Sequence, residues 1–524
     1  MSRIAIVGSG LAGISAAKAL KKRGIKPTIL DVGYEIEEEI GKLVNKLGGI
    51  NTSEWKQQDV EKKIYNPTLF KSKGLPKKLF FGSDYFYGSS NSFFPIKYKG
   101  SAPPLSYAKG GLSIGWGSTS LPALDCDLNK WPLNHLDFKK YYKKILLDLP
   151  FSAREDEISK FFPLYSENLL PLKLTKGNQE ILKDYSNSSL LQENEVVLGQ
   201  SRTLIRSHED KNGCRYCGYC MSGCPYGSIY QSKQDLDKLI EKGEVDYLPN
   251  IYVESLSESN GKVQIYAFDH EGKKISFTFD RVFIAAGALN STRLVLKTKQ
   301  LYEAKVKLQT TLSVVHPFFR LKNIPLDWPI ANTEPGLFLL YKEEKLSNNW
   351  IHTQLSTPNE LVLQKLRYRP GKDFLNRSKE ILLGRLVIAH TNIHSDFSNG
   401  YMLSLKKGHT GNDILYSEQE FLKIPSKALK LVSKRLSFLG RKMGYYKLPY
   451  SQNSINSGSY HTGGTLPMKK FPKEETETNL LGNPKGLEKI HIIDSSIFPS
   501  LPATTIGMLT MANAYRIVSE IKDI

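Results

Sequence analysis

Four of the five cysteines sit close together, as Cys214, Cys217, Cys220 and Cys224, with Cys126 standing apart. The spacing C-x2-C-x2-C-x3-C-P is a run in which thiolates hold iron–sulfur. In two-cluster ferredoxins the fourth thiolate serves the other cluster, and no second set exists here. Three readings stay open: one iron–sulfur cluster of the 4Fe–4S or 3Fe–4S type, a zinc site, or a metal-free turn. A disulfide framework of the small secreted kind does not fit so local a cluster. The second set of residues suited to chemistry lies at the N-terminus. Gly8, Gly10 and Gly13 follow the apolar run Ile4 to Val7 at G-x-G-x-x-G spacing, with Leu11 and Ala12 between them. A helical pattern over Ile14 to Lys22 and a second strand over Thr28 to Asp31 complete the unit. Gly8 allows a tight turn, Gly10 lets backbone approach a pyrophosphate, and Gly13 lets helix and strand pack closely. The helix N-terminus offers unpaired N–H groups to phosphate. Asp31 can accept hydrogen bonds from a ribose, which favours a 2′-hydroxyl over a 2′-phosphate and leaves NAD and FAD undistinguished.

A third stretch, Gly110-Gly111-Leu112-Ser113-Ile114-Gly115-Trp116-Gly117, places four glycines beside a tryptophan. Such a stretch lets backbone pass close to something flat or bulky, and ligand contact explains it better than a surface turn. Arg281 to Ala286 reads as a buried strand ending in Gly287, with a helix at Ser291 to Lys297. This second strand–glycine–helix unit is expected to join the sheet of the first.

The remaining elements must position these groups. Helices are expected over residues 35 to 46, Asp137 to Leu147, Gln231 to Glu241 and Ser417 to Gly444. Residues 47 to 100 read as a long irregular excursion with short elements, the kind of loop that is often functional. A strand pair is expected near Glu195 to Arg206, and strands at Val245 to Val253, Lys262 to Phe268 and Lys274 to Phe279. Alternating runs at Thr311 to Leu321, Gly336 to Tyr341, Trp350 to Leu355, Leu386 to Thr391, Tyr401 to Leu405 and Asp413 to Tyr416 point to an antiparallel sheet carrying the substrate face. Lys489 to Asp494 and Ile506 to Ile521 read as a returning strand and helix. His390 and His394, four apart, would suit a metal pair on a helix but read as flanking a strand end.

The chain has 524 residues, 40% hydrophobic and 24% charged, which is a globular composition. No run approaches the roughly 20 apolar residues of a membrane span, and the N-terminal apolar run is too short for a signal peptide. The expectation is a cytoplasmic protein. The formal charge of +20 suits an anionic partner such as a membrane surface or a phosphorylated substrate, although the lysines are scattered. No basic stripe with interleaved aromatics points to nucleic acid.

Taken together, several stretches resemble the glucose-methanol-choline (GMC) oxidoreductases, which are FAD enzymes. GSGLAG with Asp31 resembles their ADP-binding motif, and GGLSIGWG with Trp131-Pro132 their flavin-contacting segment. AAGALNSTRLVL, from Ala285, is similar to their strand–turn–helix. SYHTGGTLPM, IIDSSIFPSLP and ANAYRI resemble their C-terminal signature. The matches cover about two-fifths of the chain. The branch that the cysteine cluster resembles is the sugar-dehydrogenase-like one. The implied fold is α/β: a Rossmann-like FAD-binding domain with a parallel sheet, and a second domain with an antiparallel sheet. The FAD-binding domain would comprise 1–46, 101–145, 214–299 and 455–524. Residues 47–100 would be a lid, and 146–213 with 300–454 the substrate-binding domain.

The resemblance implies that Gly8, Gly10, Gly13 and Asp31 hold the ADP half. Gly111, Ser113, Gly115 and Trp116 would line the pyrophosphate and flavin side, with Gly287 at the second turn. Val253 would offer backbone to the adenine, and Asp494 and Ser495 would sit against the ribityl chain and pyrophosphate. The family oxidises an alcohol, with a base taking the hydroxyl proton while hydride passes to flavin N5. His461, in His-Thr-Gly-Gly-Thr, stands where the family places that base, and an imidazole titrates in the required range. The family's second His or Asn falls here at Thr505, which cannot be a base but can hydrogen-bond substrate or flavin. Either His461 works with Thr505 as a polar helper, or the chemistry is not simple alcohol oxidation. The implied partners are an alcohol or sugar-derived substrate and an external electron acceptor, a quinone or an electron-transfer protein. The rival expectation is an electron-transfer protein or reductase centred on flavin and the cysteines.

Overall fold

The computed structural model describes the whole chain except residues 1, 57, 59, 61–77, 89–90, 194, 208–211, 367–373 and 409–411. The part of the expected excursion at 61–77 therefore lies outside the described residues. Ile4–Val7 is a four-residue strand with every side chain buried, as an apolar run in a covered parallel sheet must be. It forms the centre of a parallel sheet ordered Ile490–Ile492, Arg281–Ile284, Ile4–Val7, Thr28–Leu30, Asp246–Leu248. Strands from the start, the middle and the end of the chain thus meet in one sheet. Leu11–Lys22 packs against Gly507–Glu520. Ala12, Ala16 and Ala19 of the first helix and Ala512 and Ala514 of the second are buried, and small side chains let the two axes approach. An antiparallel meander of Tyr252–Ser259, Lys262–Phe268 and Lys274–Phe279 leads back to the central sheet.

The second half of the molecule is antiparallel. Its larger sheet runs Tyr445–Lys447, Leu312–Arg320, Leu386–Ile393, Ser347–Ser356, Leu337–Glu343, Val196–Gln200, with Gln452–Asn453 beside Leu312–Arg320. Ile424–Lys442 packs on this sheet with Ala428, Val432, Leu436 and Leu439 inward, a helical spacing of three and four. A smaller sheet runs Thr462–Gly463, Val306–Thr310, Tyr401–Lys406, Ile414–Gln419, Ile96–Lys99. The mixed α/β architecture expected from the sequence is present.

Three local expectations change. The segment near Glu195 to Arg206 is not a strand pair. Val196–Gln200 joins the edge of Leu337–Glu343, whereas Thr203–Leu204 pairs with Phe151–Ser152. The chain bends between them because buried Arg202 must reach the carbonyls of Phe162 and Pro163. Val245 to Val253 splits at Asn250, which adopts φ +61, and the chain leaves the parallel sheet for the meander. Thr311 to Leu321 extends upstream as two strands joined at Thr311, which pass from the smaller to the larger antiparallel sheet. Among the described residues no helix is long and apolar enough to cross a membrane.

Candidate active site

A cavity of about 800 Å³ runs between the parallel sheet and the larger antiparallel sheet. One end is lined by Gly8, Gly10, Leu11, Ala12, Asp31 and Val253, the other by residues of the antiparallel sheet. The glycines divide by function. An added Cβ at Gly8, where φ is +102, would lie 2.5 Å from the carbonyl oxygen of Ala285, and one at Gly13 would collide with the carbonyl of Gly8. Both are packing glycines. At Gly10 and Gly287 an added Cβ meets no protein atom within 4 Å, and both residues line the cavity. A group lying in the cavity is therefore what bare backbone at these two positions accommodates. Asp31 completes this end. Its carboxylate accepts from Ser9 Oγ and from Tyr247 Oη at 3.3 Å, and burial pushes its pKa up to about 7. Both contacts fall on one carboxylate oxygen, Oδ2. The carbonyl of Val253 already accepts from Arg293 at 2.7 Å.

The glycine–tryptophan segment is partly explained by the protein itself. At Gly115 an added Cβ would collide with the ring of Phe86, so the flat object that this glycine accommodates is a side chain of the same protein. Ser113 Oγ donates to the carbonyl of Gly110 at 2.6 Å and lies 3.0 Å from Ser232 Oγ, which braces the turn. Trp116 donates from its indole N–H to the carbonyl of Tyr230 at 2.6 Å, and its ring lies against Gly507, where a Cβ would stand 2.5 Å away. Gly111, Ser113, Gly115 and Trp116 all line the cavity. Asp494 accepts from Gly287 N at 2.9 Å and from Ser291 Oγ, Ser496 N and Ser496 Oγ. It clamps the Ile490–Ile492 strand to the Ala288–Thr298 helix, and Ser495 Oγ donates to the carbonyl of Thr462 at 2.7 Å.

His461 faces the same cavity from the other side. Its backbone pairs with Thr311, and Ser459 Oγ bridges Thr311 Oγ1 at 2.9 Å and the His461 amide at 3.3 Å. Its Nδ1 lies 3.5 Å from Thr311 Oγ1, which leaves Nε2 for the cavity. Burial, helped by the neighbouring His390, lowers its pKa to about 4, so the imidazole is neutral at physiological pH. Thr505 also lines the cavity, but its hydroxyl donates to the carbonyl of Thr119 at 2.7 Å. It can only accept from a ligand.

His390 is the residue that sequence reasoning set aside. It stands inside Leu386–Ile393 and not at its end, opposite Val315 and Gln354, and it lines the cavity with His461. Its Nε2 is buried without a hydrogen-bond partner. The signal lay in LVIAHTNI, where a histidine interrupts an apolar run on the face that also carries Ile388 and Asn392. His394 caps a short helical segment, its Nδ1 accepting from the amide of Asp396 at 3.2 Å, and its Nε2 lies 3.4 Å from the carbonyl oxygen of Asp127.

No family model matches the sequence, and no curated protein matches it. Among solved structures, pyridoxine 4-oxidase from Mesorbium loti is similar over 99% of this chain and 98% of its own, with a TM-score of 0.62 at 15% identity. The chain has the GMC fold. The resemblance seen in scattered motifs therefore extends through residues 300 to 450, where the sequence matches only in general pattern.

Within the GMC fold the cysteines lie beside the cavity and do not line it. Cys214, Cys217 and Cys220 are buried, Cys224 is half-buried, and none forms a disulfide. Three sulfurs accept N–H groups: Cys214 from Tyr216 N and Asn332 Nδ2 at 3.4 Å, Cys220 from Thr333 N and Cys224 from Ser228 N at 3.3 Å. Burial raises the pKa of Cys214, Cys217 and Cys220. Among the described residues no group of three or more His, Cys, Asp or Glu is disposed to hold a metal ion. The four side chains as placed do not form the ligand set that an iron–sulfur cluster or zinc requires. Next to this loop Lys78 pairs with Glu334 and donates to the carbonyl of Trp116 at 3.3 Å, both side chains being nearly buried at 11% and 4% exposure. Lys78→Met leaves that carboxylate buried without its cation, and the expected loss is about 3–5 kcal/mol of stability. Urea unfolding of the variant against the parent measures it.

Proposed function

We propose that this chain is an FAD-dependent oxidoreductase that oxidises a CH–OH group to a carbonyl and passes the electrons to an external acceptor. The observation that carries this reading is the single cavity with the glycine turn and Asp31 at one end and a neutral imidazole, His461, at the other. FAD, when bound, supplies the acceptor for the hydride that leaves the carbinol carbon. Gly10 and Gly287 give its phosphates access to backbone, and Asp31 receives the ribose. His461 Nε2 takes the hydroxyl proton as the C–H bond breaks and C=O forms. Burial keeps the imidazole neutral and makes it a weaker base than a free imidazole. His390, on the facing strand, holds the substrate oxygen in place of Thr505. Reduction of the flavin by an alcohol under anaerobic conditions, read as bleaching of its visible band, tests the reading. A flavin that no alcohol bleaches overturns it.

The pH dependence follows from the same geometry. The active form of His461 is neutral, and its pKa lies near 4. Activity is therefore retained from neutral pH downward and lost as pH falls through about 4, not through the ordinary imidazole range near 6.5. The acid limb of kcat/KM measures this. His390→Asn removes a neighbour whose charge disfavours protonation of His461, so the limb moves to higher pH and turnover falls roughly tenfold or more.

A second reading is a flavin electron-transfer protein or reductase without alcohol oxidation, and the place of the cysteine loop beside the cavity favours it. Met221 of that loop lines the cavity. Anaerobic reduction separates the two: a flavin that a reduced electron carrier reduces and no alcohol does supports the second, and one that alcohols reduce supports the first.

A further inference from the structure

The floor of the cavity on the substrate side is one face of the larger antiparallel sheet, and strand register makes its composition legible. Residues directly opposite in adjacent strands share a face, and every second residue along a strand returns to it. The rung nearest the polar end pairs Ser313 with Asn392, joined by a 2.6 Å hydrogen bond from Ser313 Oγ to Asn392 Oδ1. The next rung holds Val315, His390 and Gln354. The third holds Pro317, Ile388 and Ser356, and Leu386 follows two residues further along. The face thus turns from polar to apolar within about 13 Å of strand, four residues at the extended rise. Leu361 and Val362 of the Glu360–Lys365 helix, with Leu448, close this outer arm. Ser356 stands at its edge, and Lys365 with Tyr450 ends it, the ammonium donating to the phenol oxygen at 3.3 Å.

A sugar or polyol bound here would place several hydroxyls against Pro317, Ile388 and Leu386, where Ser356 alone offers a partner on that rung and the rest lose water without gaining one. A hydrocarbon chain gains by burial in the same space. We infer that the outer arm binds the hydrocarbon body of the substrate, so that the molecule oxidised is an alcohol at the end of an apolar chain, its carbinol held between His461 and His390. This rests on the CH–OH reading above and makes it specific.

The test uses the flavin-loaded protein and two series of probes. Straight-chain primary alcohols from butanol to decanol are compared by kcat/KM, with glycerol, sorbitol and glucose as polar counterparts. The matching alkanoates, which have no carbinol to oxidise, are titrated by calorimetry. Both kcat/KM and affinity are expected to rise roughly three- to fourfold per added methylene until the arm is filled, with the polyols below every alkanol. Ile388→Thr keeps a β-branched residue in the strand and flattens the slope. Pro317→Ser, on the neighbouring strand, does the same if one variant fails to fold. Flat profiles in both series, or a polyol preferred over the alkanols, overturn the inference. Rising alkanoate affinity with no flavin reduction by any alcohol leaves the arm established and overturns the redox reading instead. Alcohol oxidation with flat alkanoate affinity does the reverse.

Discussion

His461→Ala is expected to lower turnover with an alcohol by roughly a hundredfold or more, the range for loss of a general base, while the flavin stays bound. The side chain lies in the cavity but contributes nothing to the glycine turn, and its backbone contact with Thr311 survives truncation. Ser459 and Thr311 retain their mutual hydrogen bond at 2.9 Å, so the local fold has no reason to open. Anaerobic stopped-flow reduction of the flavin isolates the step, because it reads hydride departure before any electron leaves for the acceptor. A variant that reduces its flavin at the parent rate while binding alcohol normally would remove His461 from the chemistry.

The second large effect separates two glycines that a motif treats alike. Gly8→Ala places a methyl 2.5 Å from the carbonyl of Ala285 at a residue with φ +102. Overpacking costs about 1–3 kcal/mol and the left-handed backbone a further ~1–2 kcal/mol. The cofactor-free protein is therefore expected to unfold at clearly lower denaturant than the parent. Gly10→Val behaves differently. Gly10 has φ −68, an ordinary value for any residue, and open space where the side chain would go. Stability without cofactor stays within about 0.5 kcal/mol of the parent, whereas FAD affinity falls more than tenfold because the valine occupies the phosphate approach. Unfolding curves with the cofactor stripped, beside flavin titrations, read both. Loss of stability at Gly10, or retained cofactor affinity there, would show that this position is a packing glycine like Gly8.

The sequence alone determined the parallel sheet and the organisation of its glycine-turn end. Ile4 to Val7, the three glycines and Asp31 are close along the chain, so local sterics and hydrogen bonding write their geometry directly into residue type and spacing. The same holds for the Ala288–Thr298 helix behind Gly287 and for the tail strand and helix. Where the information is not local, sequence reading reached its limit. His390 became a candidate only when Leu386–Ile393 paired with Leu312–Arg320 and Ser347–Ser356, since register decides which face a strand histidine joins. Gly115 reads as a ligand contact until Phe86, distant in sequence, is seen to fill the space. Thr505 reads as a free hydroxyl until its proton is found donated to the carbonyl of Thr119. The four cysteines carry a metal-binding spacing, yet spacing along a chain does not set the directions of the thiols, and among the described residues the fold brings no three such ligands together. Motifs record contacts between chain neighbours. The lining of a cavity between two sheets is assembled from strands hundreds of residues apart, and only the folded arrangement decides which side chains share it.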